Sequence, residues 1–588
     1  MLRGPDARLR LVSALLIAAL VTILAQLVRI QILERDRYQP EVEELLQRPY
    51  ALALPPSGVI LDRNGDLLVG NTPIYDVGAE VNLIGDPATT MSVTQKLAPL
   101  LGQDVDTLYQ KLLYEHPEDG EDVKVTWRPL ANGVGADAGE VLRELKEEGW
   151  WWLTLQPKWR RYYTEGALAC HTIGFANTDG YGYGVEASQQ RFLRPKPASG
   201  VGEVGAATEP LAEELAKGEL RAYPGTDLVL TIDRTVQAYV EGELDKAIVE
   251  FGASGGTILV MNPRTGAILA AANRPGYRPY DYAMYSPNEQ DLFVDPAIGV
   301  NYEPGSVFKV VTVAAALDSG SVTRDWSYYD NGRLEYGGAV IENSSRQAYG
   351  WQNLQGVIDN SLNVGVATLT TQAMGKEVFY DYVRAFGFGK PTGVGLTGEA
   401  AGIVRMPTDL EWWDSYLATN AFGQGIAVTP LQMAAAVSAI ANEGTIMTPY
   451  VVAERRYPDG RVVPTAPRPL WQPISAETAN YVAELLANAV ANRLTMAQVD
   501  GYPIAGKTGT AQIPVSGGYD PVDVITSFIG FGPMPDPQLL ILVKIDRPQI
   551  EPHLRWGTQT AAPVFKRVAE RLFVLLGVPP AGLMAAGP

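Results

Sequence analysis

The chain has one cysteine, Cys170, and three histidines, His116, His171 and His553, in 588 residues. One cysteine excludes an intrachain disulfide, and no Cys/His spacing for a metal site exists. By itself, Cys170 reads as a small apolar filler. So few histidines make a Ser-His-Asp mechanism hard to assemble, which turns attention to a lysine or a carboxylate as base. Positive charge is also short. Lys and Arg number 47 against 66 Asp and Glu, a formal net charge of −19, which argues against nucleic acid as a partner. Apolar runs of membrane-spanning length are confined to one place, Leu11 to Val28.

That run nearly crosses a hydrocarbon core of ~30 Å, and Ile30, Ile32 and Leu33 extend it. Arg29 and "QILERDRY" come directly after it, where a cleaved signal peptide would have small residues, so it reads as an uncleaved anchor. Arg3, Arg8 and Arg10 precede it, which keeps the N-terminus cytoplasmic and puts the rest of the chain outside. The sequence thus divides into a cytoplasmic tail (1–10), a transmembrane anchor in the plasma membrane (11–33), a smaller mixed module (34–225) and one α/β domain (226–588).

"ERDRYQPEVEELLQR" reads as a solvated helical stalk. "GVILDRNGDLLVGN" (58–71) predicts a hairpin around Asn64-Gly65. "DAGEVLRELKEEG" (137–149) predicts a helix from the spacing of Val141, Leu142 and Leu145. "RPKPASGVGEVGAATEP" (194–210) reads as a loop or linker. Beyond it, a strand and helix (226–251), a strand pair (255–273) and a later hairpin (526–546) alternate with apolar helices.

"GYPIAGKTGT" (501–510) carries two motifs. From Gly501 it is G-x-x-x-x-G-K-T, a phosphate-cradling loop. From Lys507 it is K-T-G, part of an acyl-transfer signature. A phosphate loop comes after a buried strand and opens a helix. Here an amphipathic helix capped by Ser475 precedes the motif, and Pro514 and Gly517-Gly518 break the chain on its C-terminal side. ATP is not maintained outside the membrane either. As a short strand, the segment offers Lys507, Thr508 and Thr510 to a substrate carboxylate, with Gly506 and Gly509 where a ligand backbone would approach.

"YEPGSVFKVVTVAAAL" (302–317) predicts a buried helix starting at Ser306. Ser306 and Lys309 then share a face. Burial lowers the lysine pKa, and a neutral amine can take the serine proton. The tetrapeptide also fits a Ser N-cap with a snorkelling lysine. "DNSLNVGVATL" (359–369) adds Ser361-x-Asn363, which equally fits an N-cap; "SPN" (286–288) is a second S-x-N.

Ser306-x-x-Lys309, Ser361-x-Asn363 and Lys507-Thr508-Gly509, in that order, resemble the active site of penicillin-binding proteins and serine β-lactamases. "NYEPGSVFKV", "FGFGKPTGVGLTGE", "GQGIAVTPLQMAAAVSAIANEG", "GKTGTAQ" and "SFIGFGP" resemble the class B penicillin-binding proteins, peptidoglycan D,D-transpeptidases. "GVILDRNGDLL" and residues 160–193 resemble that family's pedestal, with Ser57 and Thr164 departing from its usual Arg and Pro.

The resemblance implies an α+β transpeptidase fold, with a central antiparallel sheet flanked by helices, an all-helical lobe and a pedestal. It implies Ser306 as nucleophile, Lys309 as base and Ser361 as proton relay, with Asn363 and Lys507 tuning the site. Thr508, Gly509 and Thr510 would bind the substrate. Stem peptides ending in D-alanyl-D-alanine, β-lactams and a membrane-embedded glycan polymerase are the implied partners; no metal or cofactor is required. A β-lactamase shares the motifs, but its deacylation loop has only "ELLAN" (484–488) as a counterpart. An inactive scaffold is the third possibility, opposed by the intact Ser306, Lys309 and Lys507.

Overall fold

The computed structural model describes residues 55–114, 126–177, 181–197 and 222–581, with 20–22, 26 and 29. No helix among them is long and apolar enough to cross a membrane. The tail, most of the expected anchor, the stalk and most of the 194–210 linker lie outside the described residues.

Two compact units emerge. One comprises Met1–Pro56, Asn71–Arg161 and Lys196–Tyr223, the other Ser57–Gly70, Tyr162–Pro195 and Pro224–Pro588. In the first, residues 71–80 of strand β1 (Leu67–Glu80) pair antiparallel with β2 (Trp127–Gly135), and β3 (Leu153–Tyr163) also pairs with β1. Helices α1 (Pro87–Leu101), α2 (Val105–Leu112) and α3 (Ala136–Glu147) share its core through Leu97, Leu108, Leu112 and Leu142, which meet Val77, Leu130 and Leu153. Asp86 and Asp104 accept from Thr89 N and Thr107 N, capping α1 and α2. The expected helix is α3, with Leu142 inward; Val141 is exposed instead, because 3.6 residues per turn carry it off the buried stripe.

The hairpin of 58–71 belongs to the second unit. Ile60 opposes Val69, and the Asp62 carboxylate braces the turn by accepting from Asn64 N and Asp66 N. Ile60–Leu61 also pairs with Asp227–Leu230, which pairs with Val452–Arg456. Thr164 donates both its backbone N–H and its hydroxyl to the Leu68 carbonyl, and a proline there could do neither.

The centre of the second unit is a five-stranded sheet of β4 (Gly255–Met261), β5 (Ile268–Arg274), β6 (Ala505–Val515), β7 (Gly518–Gly532) and β8 (Leu539–Asp546). Its order is β5-β4-β8-β7-β6, antiparallel throughout. Successive side chains of a strand point to opposite faces, so β8 feeds two cores. Leu539, Ile541, Val543 and Ile545 pack with α4 (Arg234–Phe251) on one side. Leu540 and Leu542 join α5 (Lys309–Asp318) on the other.

The lobe expected to be all-helical holds α6 (Asn363–Thr368) and further helices, yet it also carries two strand pairs, Ser327–Asp330 with Gly350–Asn353 and Arg333–Tyr336 with Ala339–Glu342. Two consecutive positive-φ glycines, Gly337 and Gly338, turn the second pair. Two more helices flank the sheet, α7 (Ala476–Asn492), capped by Ser475, and α8 (Ala561–Leu575).

Candidate active site

The nucleophile candidate sits on a turn that the sequence alone placed in a helix. Residues Gly305–Phe308 form a 3-10 turn and α5 begins at Lys309, so Ser306 is not the cap of α5. Gly305 has φ 56°, and a Cβ there would stand 3.0 Å from the Thr510 carbonyl oxygen. The turn thus presses against β6 without side-chain padding. Val307, Phe308, Val310 and Val311 bury the segment in the core.

Lys309 is fully buried, with 0% exposure, and Lys507 has 1%. They meet at Ser361. Lys309 Nζ donates to Asn363 Oδ1 (2.7 Å), the Ser361 carbonyl (2.5 Å) and Ser361 Oγ (3.2 Å). Lys507 Nζ donates to Ser361 Oγ (3.0 Å) and the Thr508 carbonyl (3.2 Å). Burial, and then the neighbouring Lys507 charge, push the Lys309 ammonium well below the ordinary lysine range. Burial brings Lys507 down to about 7, and the Asp359 carboxylate pulls it partly back. Two buried amines share one hydroxyl, and a neutral Lys309 has the basicity to take a proton.

Ser361 is no helix cap. Leu362 occupies that position of α6 without a side-chain cap bond, while Ser361 holds φ 52° and turns its hydroxyl to the lysines. Such a conformation in a residue with a Cβ is rare and concentrates at functional sites. The other S-x-N resolves as a cap: Ser286 N donates to Glu289 Oε2 at the start of Pro287–Phe293. Asn363 is oriented by donating to the Glu342 carbonyl (2.9 Å).

Lys507, Thr508, Gly509 and Thr510 lie on β6, an edge strand paired only with β7 among the described residues. The motif opens no helix, so the phosphate-loop geometry is absent there. The small size of Gly509 answers to the protein's own packing, because a Cβ would strike Ser527 Oγ at 2.4 Å and Val307 Cγ2 at 2.9 Å. Likewise a Cβ on Gly506 would come 2.6 Å from the Phe528 ring. Thr510 Oγ1 accepts from Gly557 N (3.1 Å).

Ser306, Asn363 and Thr510 line one cleft of about 510 Å³ with Gln424, Gln512 and Trp556. The Ser306 hydroxyl stands outside the lysine hydrogen-bond net. Sequence reasoning missed Asp359 and Gln424, which lie in quoted stretches without standing out there, and Trp556, which lies in none. It also missed Glu303, whose signal was available: an acid three residues before the nucleophile candidate in an apolar segment. Glu303 is buried, accepts from Gly425 N (3.0 Å) and Tyr519 Oη (3.3 Å), and burial pushes its carboxyl up to about 7.

A family model described as the penicillin binding protein transpeptidase domain matches residues 256–570, and one described as the penicillin-binding protein dimerisation domain matches 53–230. Stage V sporulation protein D of Bacillus subtilis is 34% identical over 90% of this chain and 79% of its own length. Peptidoglycan D,D-transpeptidase FtsI of Escherichia coli K12 is 29% identical over 98% of this chain and 93% of its own. The crystal structure of penicillin binding protein 3 from Mycobacterium tuberculosis, complexed with aztreonam, matches with TM-score 0.66 at 26% identity, over 91% of this chain and 98% of that one. With these motifs on these elements, and with matches of this extent, the chain belongs to the penicillin-binding protein transpeptidase family.

Proposed function

We propose that this protein is a membrane-anchored peptidoglycan D,D-transpeptidase that works through a Ser306 acyl-enzyme. The convergence of two buried lysines on the Ser361 hydroxyl, beside the cleft that holds Ser306, carries the reading. Ser306 Oγ attacks the carbonyl carbon between the two terminal D-alanines of a stem peptide, and its proton passes to the neutral Lys309 amine. Backbone N–H groups of Ser306 and Thr510 hold the oxyanion. The C–N bond breaks, and the departing D-alanine takes a proton relayed through Ser361 from the lysine pair. An amine of a second stem then attacks the ester, loses a proton to Lys309 and restores Ser306, which leaves the cross-link.

Thr508 and Thr510 bind the donor's terminal carboxylate, Gly509 keeps β6 close to the Ser306 turn, Asn363 holds Lys309, and Lys507 supplies positive charge. A β-lactam takes the donor's place and leaves Ser306 acylated. Residues 11–33 anchor the chain, 34–225 act as the pedestal that meets a glycan polymerase, and 226–588 carry the chemistry. The β-lactamase alternative loses support because "ELLAN" (484–488) sits inside α7 rather than on a loop facing Ser306.

Incubation of the full-length protein with a fluorescent penicillin tests this. A stable adduct that disappears in Ser306→Ala is expected. Rapid release of the label would favour a β-lactamase, and no adduct at all would leave a scaffold.

A further inference from the structure

The wall of the cleft opposite β6 is formed by the strand Ala339–Glu342 and the loop after it, and that loop carries Arg346. Its guanidinium is exposed and makes no ion pair or hydrogen bond among the described residues. Its neighbour on the hairpin, Arg333, is by contrast bonded to Glu335 (2.7 Å). Arg346 also holds φ 56°, a backbone conformation that is costly for a long side chain and cheap for glycine.

The loop is built to keep it there. Asn343, 2% exposed, donates to both carboxylate oxygens of buried Asp330 (3.0 Å each) and to the Gln347 carbonyl (3.2 Å). Arg346 N closes the loop on the Asn343 carbonyl (2.8 Å). Tyr328 Oη and Gly332 N hold Asp330 in turn. Asn343 Oδ1 accepts from Val364 N (3.1 Å), which ties the loop to the turn bearing Ser361 and Asn363. A bonded polar network therefore fixes the backbone that carries Arg346 relative to the turn bearing Ser361 and Asn363, and leaves its guanidinium free on the cleft wall.

We infer that Arg346 is a specificity-determining residue that pairs with a carboxylate of the donor peptide outside its terminal D-alanyl-D-alanine. This rests on the transpeptidase reading. The terminal carboxylate is taken by Thr508 and Thr510 on β6, so the carboxylate that reaches Arg346 is a different one. A guanidinium presents a planar fork that matches a carboxylate with two parallel hydrogen bonds. Glu342, which lines the same wall and is also without an ion pair among the described residues, adds a negative charge to that wall. The carboxylate is thus read at one position rather than drawn anywhere along the wall.

Three penicillins that differ in one substituent on the side-chain α-carbon test this: benzylpenicillin with hydrogen, carbenicillin with a carboxylate and ampicillin with an amine. The measurement is the efficiency of Ser306 acylation by each in the full-length wild type, R346A, R346K and R346E. The ratio of carbenicillin to benzylpenicillin is read within each variant, so it is independent of how much protein is folded. R346A is expected to lower that ratio roughly five- to tenfold. R346E lowers it further and raises the ampicillin ratio, and R346K recovers part of the loss. Ratios unchanged in R346A would overturn the proposal while leaving the transpeptidase reading intact. R346K equal to wild type would also overturn it, since a diffuse positive field rather than a fork would be responsible. Absence of acylation by all three in the wild type would remove the transpeptidase reading and this proposal together.

Discussion

The two largest sheets among the described residues differ in how they meet water. Every residue of β4, and all of β8 except Asp546, is buried, because the five-stranded sheet has a hydrophobic core on each face. In the smaller unit, β3 has one buried residue, Leu153, and is otherwise half-buried or exposed. Its strands carry surface charge instead, as in the Lys158–Asp76 ion pair. The difference bears on where the proposed chemistry sits. Burial, with a neighbouring positive charge, lowers the proton affinity of an amine, and Lys309 and Lys507 are buried beside the two-sided sheet. A one-sided sheet suits binding at a surface.

Substitutions can break that contrast, and the largest effect is expected at the amine itself. Lys309→Ala should lower the rate of acylation by a β-lactam about 10²- to 10⁴-fold, the range for a general base, in rapid-mixing measurements. In the wild type the acylation rate should rise with pH and level off well below the ordinary lysine value of 10.5. A profile still climbing toward 10.5 would show that Lys309 is not the base.

Next comes the packing around it. Phe528→Ala removes a ring with no exposed surface that packs on Phe565 of α8, and should cost about 3–5 kcal/mol in denaturant unfolding. A loss as small as that of a surface substitution would contradict the two-sided core.

Glu303 gives a third, pH-dependent effect. Its carboxyl titrates at about 7 in the fold against an ordinary 4.5. Between these values the folded protein holds a proton that the unfolded chain has released, so stability is lost as pH rises through that window. Glu303→Gln should therefore raise the melting temperature relative to wild type above pH 7 and not below 4.5. The smallest effect belongs to the one-sided sheet. Lys158→Ala should change stability by no more than about 1 kcal/mol, as for an exposed ion pair, and should leave acylation untouched.

Much of this was legible in the sequence because the signals are local. The apolar run in "LLILVKID" marks a strand buried on both faces, and the residues flanking Asn64-Gly65 mark a hairpin. Ser306, Lys309, Ser361, Asn363 and Lys507 are fixed by short spacings that the fold brings together. The features that escaped depend on contacts distant in the chain. The cap reading of Ser361 was open because only Lys309 and Lys507, far off in sequence, claim its hydroxyl. Gly509 suggested a ligand's approach because Val307 and Ser527 cannot be seen beside it in one dimension. The strand pairs at 327–353 were hidden among helices because each strand has only four residues.

The glycine contacts under Ser306 bear on how such a protein can change under drug pressure. A Cβ on Gly423 would stand 2.3 Å from the Gly305 carbonyl oxygen, and one on Gly509 would collide with Ser527 and Val307. The floor of the site therefore has almost no neutral mutational neighbours. Heritable differences in antibiotic sensitivity are expected to accumulate on the walls, at residues such as Gln424, Arg346 and Trp556, where side chains face open cleft rather than backbone.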